Sequence, residues 1–238
     1  MRDVLWYQAV TSTNDVASVL ADGGAPEGTI VVANAQSAGR GRRGRTWASP
    51  PGAGLYVSIL LRPTRGASLL TIAAGVAVAE GIQAATGLDV DLKWPNDVFI
   101  GGRKVAGILA EASSTAAGIN AIVGCGINVL PAAYPPDVAL RATSLERELG
   151  RAVDRGLLLA ECLVSLTARY ADLQCGRLTD LTDAWRLRAA ATLGRRVRGG
   201  AGGLVFEGVA EDLDESGALV VRTATGLTSV TAGEVIWL

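Results

Sequence analysis

The chain of 238 residues contains no histidine. Serine-histidine-aspartate and cysteine-histidine nucleophilic catalysis both need an imidazole base, so the sequence excludes them. Histidine-ligated zinc is excluded for the same reason. Cysteine is also scarce: Cys125, Cys162 and Cys175 are too widely spaced to form a metal-ligand pair, and each lies in an apolar stretch. We expect all three to be buried, reduced thiols.

Aromatic and charged residues are few as well, at 5% and 19% of the chain, whereas 49% of it is hydrophobic. The net charge of −1 gives no overall attraction to nucleic acid or to an anionic membrane. The first residues lack the apolar region of a secretory signal. The most apolar stretch, residues 69–79, is shorter than the ~20 residues of a membrane-spanning helix. These absences favour a cytoplasmic enzyme or binding protein without a membrane partner.

The chain up to about residue 191 alternates predicted strands and helices. Strands are expected at about 3–10, 29–36, 54–62, 90–94, 98–100, 104–111 and 120–129. Helices are expected at about 12–21, 67–86 and 180–191. Apolar residues spaced by four and three predict one more helix face, which consists of Leu159, Leu163, Leu166, Tyr170 and Leu173.

The pattern changes at Gly194, after which short strands and turns follow each other closely. A turn is expected at 199–203, and strands at about 204–212, 218–223 and 227–231. We interpret this tail as a small β-barrel, and its size indicates that it docks on the first part of the chain. The expected domains are therefore residues 1–191 and 192–238.

Residues 39–45 contain four arginines and three glycines. Glycine lets successive backbone N–H groups turn toward an anion, and arginine adds a planar fork that suits carboxylate and phosphate. This composition indicates a loop that closes over a small anionic ligand. It also fits a solvated loop or an RNA-binding segment, although here the run directly follows an apolar strand.

Polar side chains also stand out in residues 93–97 and at Lys104. Pro95 interrupts a strand, so Asn96 and Asp97 emerge at a bend that presents them to a ligand or Mg²⁺, or that forms a plain turn. Lys104 begins a strand on which alternation gives it the same-face neighbours Ala106, Ile108 and Ala110. A lysine there needs an anionic partner or a route to water.

The strand at 120–129 has two different faces. Val123, Cys125, Ile127 and Val129 share one of them and are suited to a core. Gly124, Gly126 and Asn128 share the other, which packs poorly by itself. Either a ligand lies flat against this backbone, with Asn128 as a polar contact, or a helix packs closely on the two glycines.

Taken together, these segments resemble biotin–protein ligases. The matching pieces, in the order of that family, are Ser12-Thr13-Asn14, the segment 36–47, Lys93-Trp94-Pro95-Asn96-Asp97, Lys104 with residues 106–109, and Gly124-Cys125-Gly126-Ile127-Asn128. The resemblance implies an α+β fold: a mixed-sheet catalytic domain related to class II aminoacyl-tRNA synthetases, followed by an SH3-like β-barrel.

The resemblance also implies roles for individual residues. Biotin would be bound by Ser12, Thr13, Asn14, Gln36, Gly39, Arg40, Gly41, Arg42, Lys104, Gly107 and Gly126. ATP or the adenylate would be bound by Arg42, Arg43, Arg45, Trp47, Asn96, Lys104 and Asn128. Lys104, Arg42 and Arg45 would assist the chemistry, and Mg²⁺ would enter with ATP rather than at a dedicated metal site.

The implied reaction has two steps. The carboxylate of biotin attacks ATP to give biotinyl-AMP and pyrophosphate, and a lysine of a biotin carboxyl carrier domain then displaces AMP. The absence of histidine fits the first step, because a carboxylate is already ionised at neutral pH. The second step needs a deprotonated amine, and only chemistry suggests Asp97 as its base. A loop that closes over the reactive anhydride would keep water away from it.

Some members of that family carry an N-terminal DNA-binding domain. Only eleven residues precede Ser12, so we expect no such domain and no nucleic-acid partner. The sequence leaves the oligomeric state open, including a homodimer. Two other functions also remain open: a lipoate or octanoate ligase of the same fold, and an RNA-binding module that uses the Arg-Gly loop.

Overall fold

The computed structural model describes residues 3–116, 118–132, 134, 136–201 and 204–238. The helices of this part of the chain are α1 (Thr13–Asp22), α2 (Leu70–Thr86), α3 (Pro136–Ala139), α4 (Leu145–Leu149), α5 (Arg155–Gln174) and α6 (Leu178–Arg186). Its strands are β1 (Val4–Tyr7), β2 (Ile30–Ala33), β3 (Gly54–Leu61), β4 (Asp91–Lys93), β5 (Asp97–Ile100), β6 (Arg103–Thr115), β7 (Gly118–Asn128), β8 (Arg196–Ala201), β9 (Leu204–Leu213), β10 (Leu219–Thr223), β11 (Gly226–Val230) and β12 (Glu234–Trp237).

The first seven strands form one mixed sheet in the order β1-β2-β3-β7-β6-β5-β4. Strands β1 and β2 pair in parallel, and the other neighbours are antiparallel. The predicted mixed sheet is therefore confirmed. Each predicted strand of this region is present, although most begin or end one to several residues away from the expected position.

Helices α2 and α5 cover one face of the sheet and form the main core with it. The small side chains of Ala73, Ala74 and Ala77 are buried there, and Gly81 allows close approach of α5, since a Cβ on it would lie 2.6 Å from Cys162 Sγ. The helical stretch Ala67–Thr86 extends beyond the expected apolar run 69–79 and is long and apolar enough to cross a membrane, but 72% of its most apolar 18 residues are buried inside the fold. It is therefore accounted for as a core helix.

The opposite face of the sheet is covered only in part by a helix. Ala17 and Ala21 of α1 pack on Val31, Leu60 and Ile122 of β2, β3 and β7. Beyond α1, the loop 39–47 lies over the same face, with the Trp47 side chain against β6 and β7. A cleft with both polar and apolar side chains in its lining lies between this loop, α1 and the sheet.

The last five strands form a second, antiparallel sheet in the order β11-β10-β9-β8-β12. Within the described residues its outer strands β11 and β12 do not pair, so this sheet is open rather than a closed barrel. The turn predicted at 199–203 is wrong for Gly199 to Ala201, which belong to β8, while residues 202 and 203 lie outside the described residues. Strands β8 and β12 were not predicted.

The C-terminal sheet docks on the first part of the chain, as expected. Trp94 Nε1 donates to Gly217 O at 3.0 Å, and Trp237 Nε1 donates to Ala191 O at 2.8 Å. Arg186 of α6 pairs with Asp212 of β9 at 2.6 Å. These contacts bring β12 to the rim of the cleft.

Two further expectations need correction. The helix predicted at 180–191 is α6, Leu178–Arg186, and the chain then turns so that Arg188 O accepts from the Leu92 amide. Cys125 and Cys162 are buried as expected, and burial raises the pKa of both thiols, that of Cys125 to about 12. Cys175 is exposed, because it caps the end of α5.

Candidate active site

The floor of the cleft is made of glycine. Gly107 of β6 pairs with Gly126 of β7, and Gly124 is two residues away on the same face. A Cβ on Gly126 would lie 2.3 Å from Trp47 Nε1, and one on Gly124 would lie 2.2 Å from Asn14 Oδ1. Both interpretations of this strand therefore hold in part: α1 packs on Gly124, whereas Gly126 faces a cleft of about 970 Å³.

A polar wall closes the cleft at the start of α1. Ser12, Thr13 and Asn14 are buried there, and the Thr13 amide donates to Gln36 Oε1 at 2.9 Å. Gln36 Nε2 donates to Ser49 Oγ at 2.8 Å, which holds the carboxamide in one orientation. The wall is thus built by the first turn of a helix and by the segment that follows β2.

The fully buried hydroxyl of Ser58 on β3 connects this wall internally. Ser58 Oγ lies 2.7 Å from Thr13 Oγ1 and 2.6 Å from Asn14 Oδ1. The Ser58 hydroxyl has one proton for these two acceptors, whereas Thr13 Oγ1 donates its own proton to Gln36 Oε1 at 3.2 Å. Asn14 Nδ2 then donates to Glu111 Oε2 at 2.6 Å. Thr13, Asn14, Gln36 and Ser58 thus form one connected hydrogen-bond network in the wall.

The loop 39–47 folds into a small hairpin over the floor. The Gly41 amide donates to Arg45 O at 2.7 Å, and the Trp47 amide donates to Gly39 O at 2.8 Å. Arg43 at its tip has a positive φ of 57°, and its guanidinium donates to Gly200 O of the C-terminal sheet at 3.3 Å. The loop therefore touches both parts of the molecule.

Two other arginines of the loop have defined partners. Arg42 donates to Asn96 Oδ1 at 3.2 Å. Arg40 forms ion pairs with Asp15 of α1 and, at 3.0 Å, with Glu111 of β6. The Asp15 hydrogen bond is the main reason why the pKa of Arg40 is raised. Arg40 lines the cleft, but its charge is directed onto these two carboxylates.

The Trp47 indole lies on the glycine floor. A Cβ on Gly107 would lie 3.1 Å from the Trp47 ring, and Lys104 Nζ lies 5.2 Å from the ring centroid. Trp47 Nε1 is buried and has no hydrogen-bond partner among the described residues. The indole thus offers a flat apolar surface to the cleft, while its Nε1 is turned toward the floor at Gly126.

Lys104 reaches the cleft because of a β-bulge. The pairing of β5 with β6 shifts after Val98, which faces Ala106, whereas Phe99 faces Lys104. The extra residue brings Lys104 onto the same face as Gly107, while Ala106 and Ile108 are buried in the core. The expected alternation of Lys104 with Ala106, Ile108 and Ala110 is therefore wrong, since a bulge re-aims the side chain.

Lys104 forms an ion pair with Asp97, whose Oδ1 lies 2.6 Å from Lys104 Nζ. Asn96, beside it, donates from Nδ2 to Ile108 O at 2.9 Å and so fixes the bend at the bulge. Asn128 is buried at the other side of the floor, where its Nδ2 donates to Thr143 O at 3.0 Å. These two asparagines therefore also order the backbone around the cleft.

The structure brings most of the predicted site residues together. Those that line the cleft are Ser12, Thr13, Asn14, Gln36, Arg40, Gly41, Arg42, Arg43, Arg45, Trp47, Asn96, Lys104, Gly107, Gly126 and Asn128. Gly39 lies behind the wall instead, where a Cβ would be 2.8 Å from Ser49 Oγ and 3.0 Å from Gln36 Nε2. Its role is to let the loop start close to Gln36.

Sequence reasoning missed several residues. The segment after β7 and strand β12 add Tyr134, Val138, Arg141, Val235, Ile236 and Trp237 to the lining. Lys93 Nζ lies 4.2 Å from the Trp237 ring centroid, which ties β12 to the cleft. Ser58, which bonds the wall from behind, was missed as well; its signal was a serine within the apolar strand β3.

Comparisons with known proteins agree with this geometry. The family model described as "Biotin/lipoate A/B protein ligase family" matches residues 6–128, and that of the biotin protein ligase C-terminal domain matches residues 192–237. The chain is 35% identical over 240 residues to the bifunctional ligase/repressor BirA of Bacillus subtilis, which covers 98% of this chain and 74% of that protein. It is 37% identical over 242 residues to the biotin–[acetyl-CoA-carboxylase] ligase of Paracoccus denitrificans, which covers 95% and 97%.

Solved structures show the same likeness along the whole chain. The biotin protein ligase of Aquifex aeolicus in complex with biotin and ATP superposes with a TM-score of 0.87 and 29% identity, and covers 100% of this chain and 99% of that one. Family models, relatives and fold thus all agree, and the chain belongs to the biotin/lipoate A/B protein ligase family.

Proposed function

We propose that this protein uses ATP to activate biotin as biotinyl-AMP and transfers the biotinyl group to a lysine of a biotin carboxyl carrier domain. One observation carries the proposal. The cleft combines a hydrogen-bonding wall at Thr13 and Gln36, a flat glycine floor, and a lysine at the far side of that floor. A fused-ring urea with a carboxylate tail matches this order of polar, flat and cationic surfaces.

The first step requires positioning and neutralisation of charge. A carboxylate oxygen of biotin attacks the α-phosphorus of ATP and forms a new P–O bond. The bond between the α-phosphorus and the oxygen that bridges to the β-phosphate breaks, and pyrophosphate leaves. Lys104 is aimed into the cleft by the β-bulge, and Arg42 is held beside it by Asn96. These cations stabilise the charge that develops on phosphate oxygens, with Arg45 as a third donor from the loop.

The second step requires loss of a proton from the attacking lysine amine. Asp97 is the one carboxylate among the described residues that line the cleft. Its Oδ1 lies 2.6 Å from Lys104 Nζ, so it stands beside the cation that we assign to the first step. We therefore assign Asp97 as the candidate base, with its contact to Lys104 as the supporting observation.

Mg²⁺ with ATP is part of the proposal. Within the described residues, no group of three or more cysteine, aspartate or glutamate side chains could hold a metal ion by itself. Nucleotide-bound Mg²⁺ is commonly held by one or two carboxylates and by phosphate oxygens. Asp97 fits that donor set, and the cation would neutralise phosphate charge there.

The proposal extends to the organisation of the molecule. Residues 1–191 would form the catalytic domain and residues 192–238 an SH3-like domain whose strand β12 borders the cleft. A cytoplasmic location is supported by the use of ATP. A carrier domain of a biotin-dependent carboxylase would be the protein partner, and no nucleic acid or membrane would take part.

A lipoate or octanoate ligase is not favoured, because a fatty chain has no use for the polar wall of Thr13, Asn14 and Gln36. An RNA-binding role for the loop is disfavoured as well. Arg40 and Arg43 are engaged with Asp15, Glu111 and Gly200 rather than directed outward together.

The decisive experiment is transfer of labelled biotin to an isolated carrier domain, with and without ATP. A carrier whose acceptor lysine is replaced by arginine serves as control. We expect label on the first carrier only, and only with ATP. Incorporation of lipoate in place of biotin, or transfer without ATP, would contradict the proposal.

A further inference from the structure

Glu111 of β6 contacts both the polar wall and the loop that covers the floor. Its Oε2 accepts from Asn14 Nδ2 at 2.6 Å and from Arg40 at 3.0 Å. Arg40 is in turn paired with Asp15, which follows Asn14 on α1. Arg40, in the N-terminal part of the loop 39–47, thus binds the loop to the same helix turn that forms the wall.

The C-terminal part of the loop, at Trp47, is hydrogen-bonded to the same wall. Ser49 Oγ donates to Trp47 O at 3.1 Å and accepts from Gln36 Nε2 at 2.8 Å. Gln36 contacts Thr13, Thr13 contacts Ser58, and Ser58 contacts Asn14. One continuous chain of hydrogen bonds therefore joins these two parts of the loop through the residues that face the polar end of a ligand.

We infer that Glu111, with Asp15, is a positioning residue that fastens the loop 39–47 through Arg40 and so slows the escape of the acyl-adenylate; this inference rests on the proposed function. Neither carboxylate lines the cleft. Their effect is exerted through Arg40, whose charge two carboxylates share.

The size of the effect follows from exposure. The side chains of Arg40, Asp15 and Glu111 are 39%, 40% and 44% exposed, so water screens each pair. A single exposed ion pair contributes little, and a network of three charges contributes more. We expect the loop to open about two- to fivefold more often when one carboxylate is neutralised, a range that corresponds to one such pair.

The test compares Glu111→Gln with Asp15→Asn and with Glu207→Gln. Glutamine keeps an oxygen that accepts from Asn14 but removes the charge that faces Arg40. Glu207 supplies a matched control, because its ion pairs with Arg196 and Arg198 lie within the C-terminal sheet and include no residue of the loop 39–47. The first measurement is hydrogen exchange of the Gly41 and Trp47 amides, whose hydrogen bonds close the loop.

We expect faster exchange of those two amides in Glu111→Gln and Asp15→Asn, and no change in Glu207→Gln. In an Arg40→Ala background, Glu111→Gln should not raise the exchange rates of these amides further, since both substitutions remove the same contact. Unchanged loop exchange in both carboxylate variants, or an independent further increase in the Arg40→Ala background, would overturn the inference. Glu111 would then have only a structural role.

The second measurement is the dissociation rate of biotinyl-AMP relative to its rate of formation. We expect the variants to raise the first more than they change the second. A wild-type protein that forms no biotinyl-AMP would count against the proposed function, and the exchange experiment would still decide on the fastening. A wild-type protein that forms and retains it, with variants that retain it equally well, would count against this inference alone.

Discussion

The two faces of the seven-stranded sheet differ sharply, although the same strands build both. Val123, Cys125 and Ile127 of β7 face α2 and α5 and are buried among apolar side chains, where a void of only about 10 Å³ remains. Gly124 and Gly126, which alternate with them, face α1 and the loop, where the cleft measures about 970 Å³. One face is therefore packed for stability, and the other is left open for a ligand.

The covering elements explain this difference. Helices α2 and α5 bring long apolar surfaces and close glycine and alanine contacts, whereas the loop 39–47 brings arginines that bind to fixed partners at its edges. A loop that is held at a few polar points can open without disturbing the core. If this comparison is right, substitutions on the two faces should separate catalysis from stability.

The largest effect is expected from Lys104→Gln, on the cleft face. Removal of a preorganised donor that stabilises transition-state charge typically lowers the rate about 10²- to 10³-fold. We expect a loss of this size in biotin-dependent pyrophosphate exchange, with a melting temperature close to that of the wild type. Exchange activity that survives would show that Lys104 is not the cation of the first step.

Gly126→Val should weaken binding of biotin without unfolding the chain. A Cβ at this position would lie 2.3 Å from Trp47 Nε1, so the indole must move and the floor is raised. Steric overpacking costs about 1–3 kcal/mol, which corresponds to a roughly 5- to 150-fold higher Kd for biotin by calorimetry. Gly75→Ala on α2 is the control, since its Cβ would meet nothing closer than Leu92 at 3.8 Å. Equal affinities would place biotin elsewhere.

Ile127→Ala, one residue further on, should have the opposite outcome. Ile127 is fully buried against α2 and α5, and truncation of such a side chain typically costs about 2–5 kcal/mol of unfolding free energy. Urea unfolding would measure that loss, and the Kd for biotin of the folded protein should stay within about twofold of wild type. A large rise in Kd together with the loss of stability would show that the two faces are coupled.

Much of this contrast could be predicted from the sequence. The alternation of Val123 and Cys125 with Gly124 and Gly126 predicted one apolar core face and one glycine face, because side chains alternate along a strand, but it left open whether a ligand or a helix covers the glycines. The bulge at Lys104 could not be predicted, since an extra residue leaves no mark in the apolar run 105–110 of the strand Arg103–Thr115. The fastening of Arg40 by Glu111 was equally hidden, because it joins residues 71 positions apart.

Strands β8 and β12 show a different limit. In β8, Val197 is buried between the exposed Arg196 and Arg198, but the glycines that follow indicated a turn rather than a continuing strand. Strand β8 lies inside the sheet and pairs with both β9 and β12, whereas β12 is an edge strand whose neighbour β8 is distant in sequence. The position of β12 at the rim of the cleft therefore emerged only from the folded chain.

The smallest expected effect concerns the cysteine thiols, because Cys125 and Cys162 are buried on the packed face of the sheet. Burial raises the pKa of Cys125 to about 12 and also raises that of Cys162, so both stay protonated at pH 8 and neither supplies the thiolate that alkylation needs. Cys175, which is exposed at the end of α5, should react with iodoacetamide. Mass spectrometry of the native protein should therefore find one alkylated cysteine, and three after denaturation in urea. Alkylation of Cys125 without denaturant would mean that the face covered by α2 and α5 also opens in the native protein. That result would contradict the contrast between the two faces.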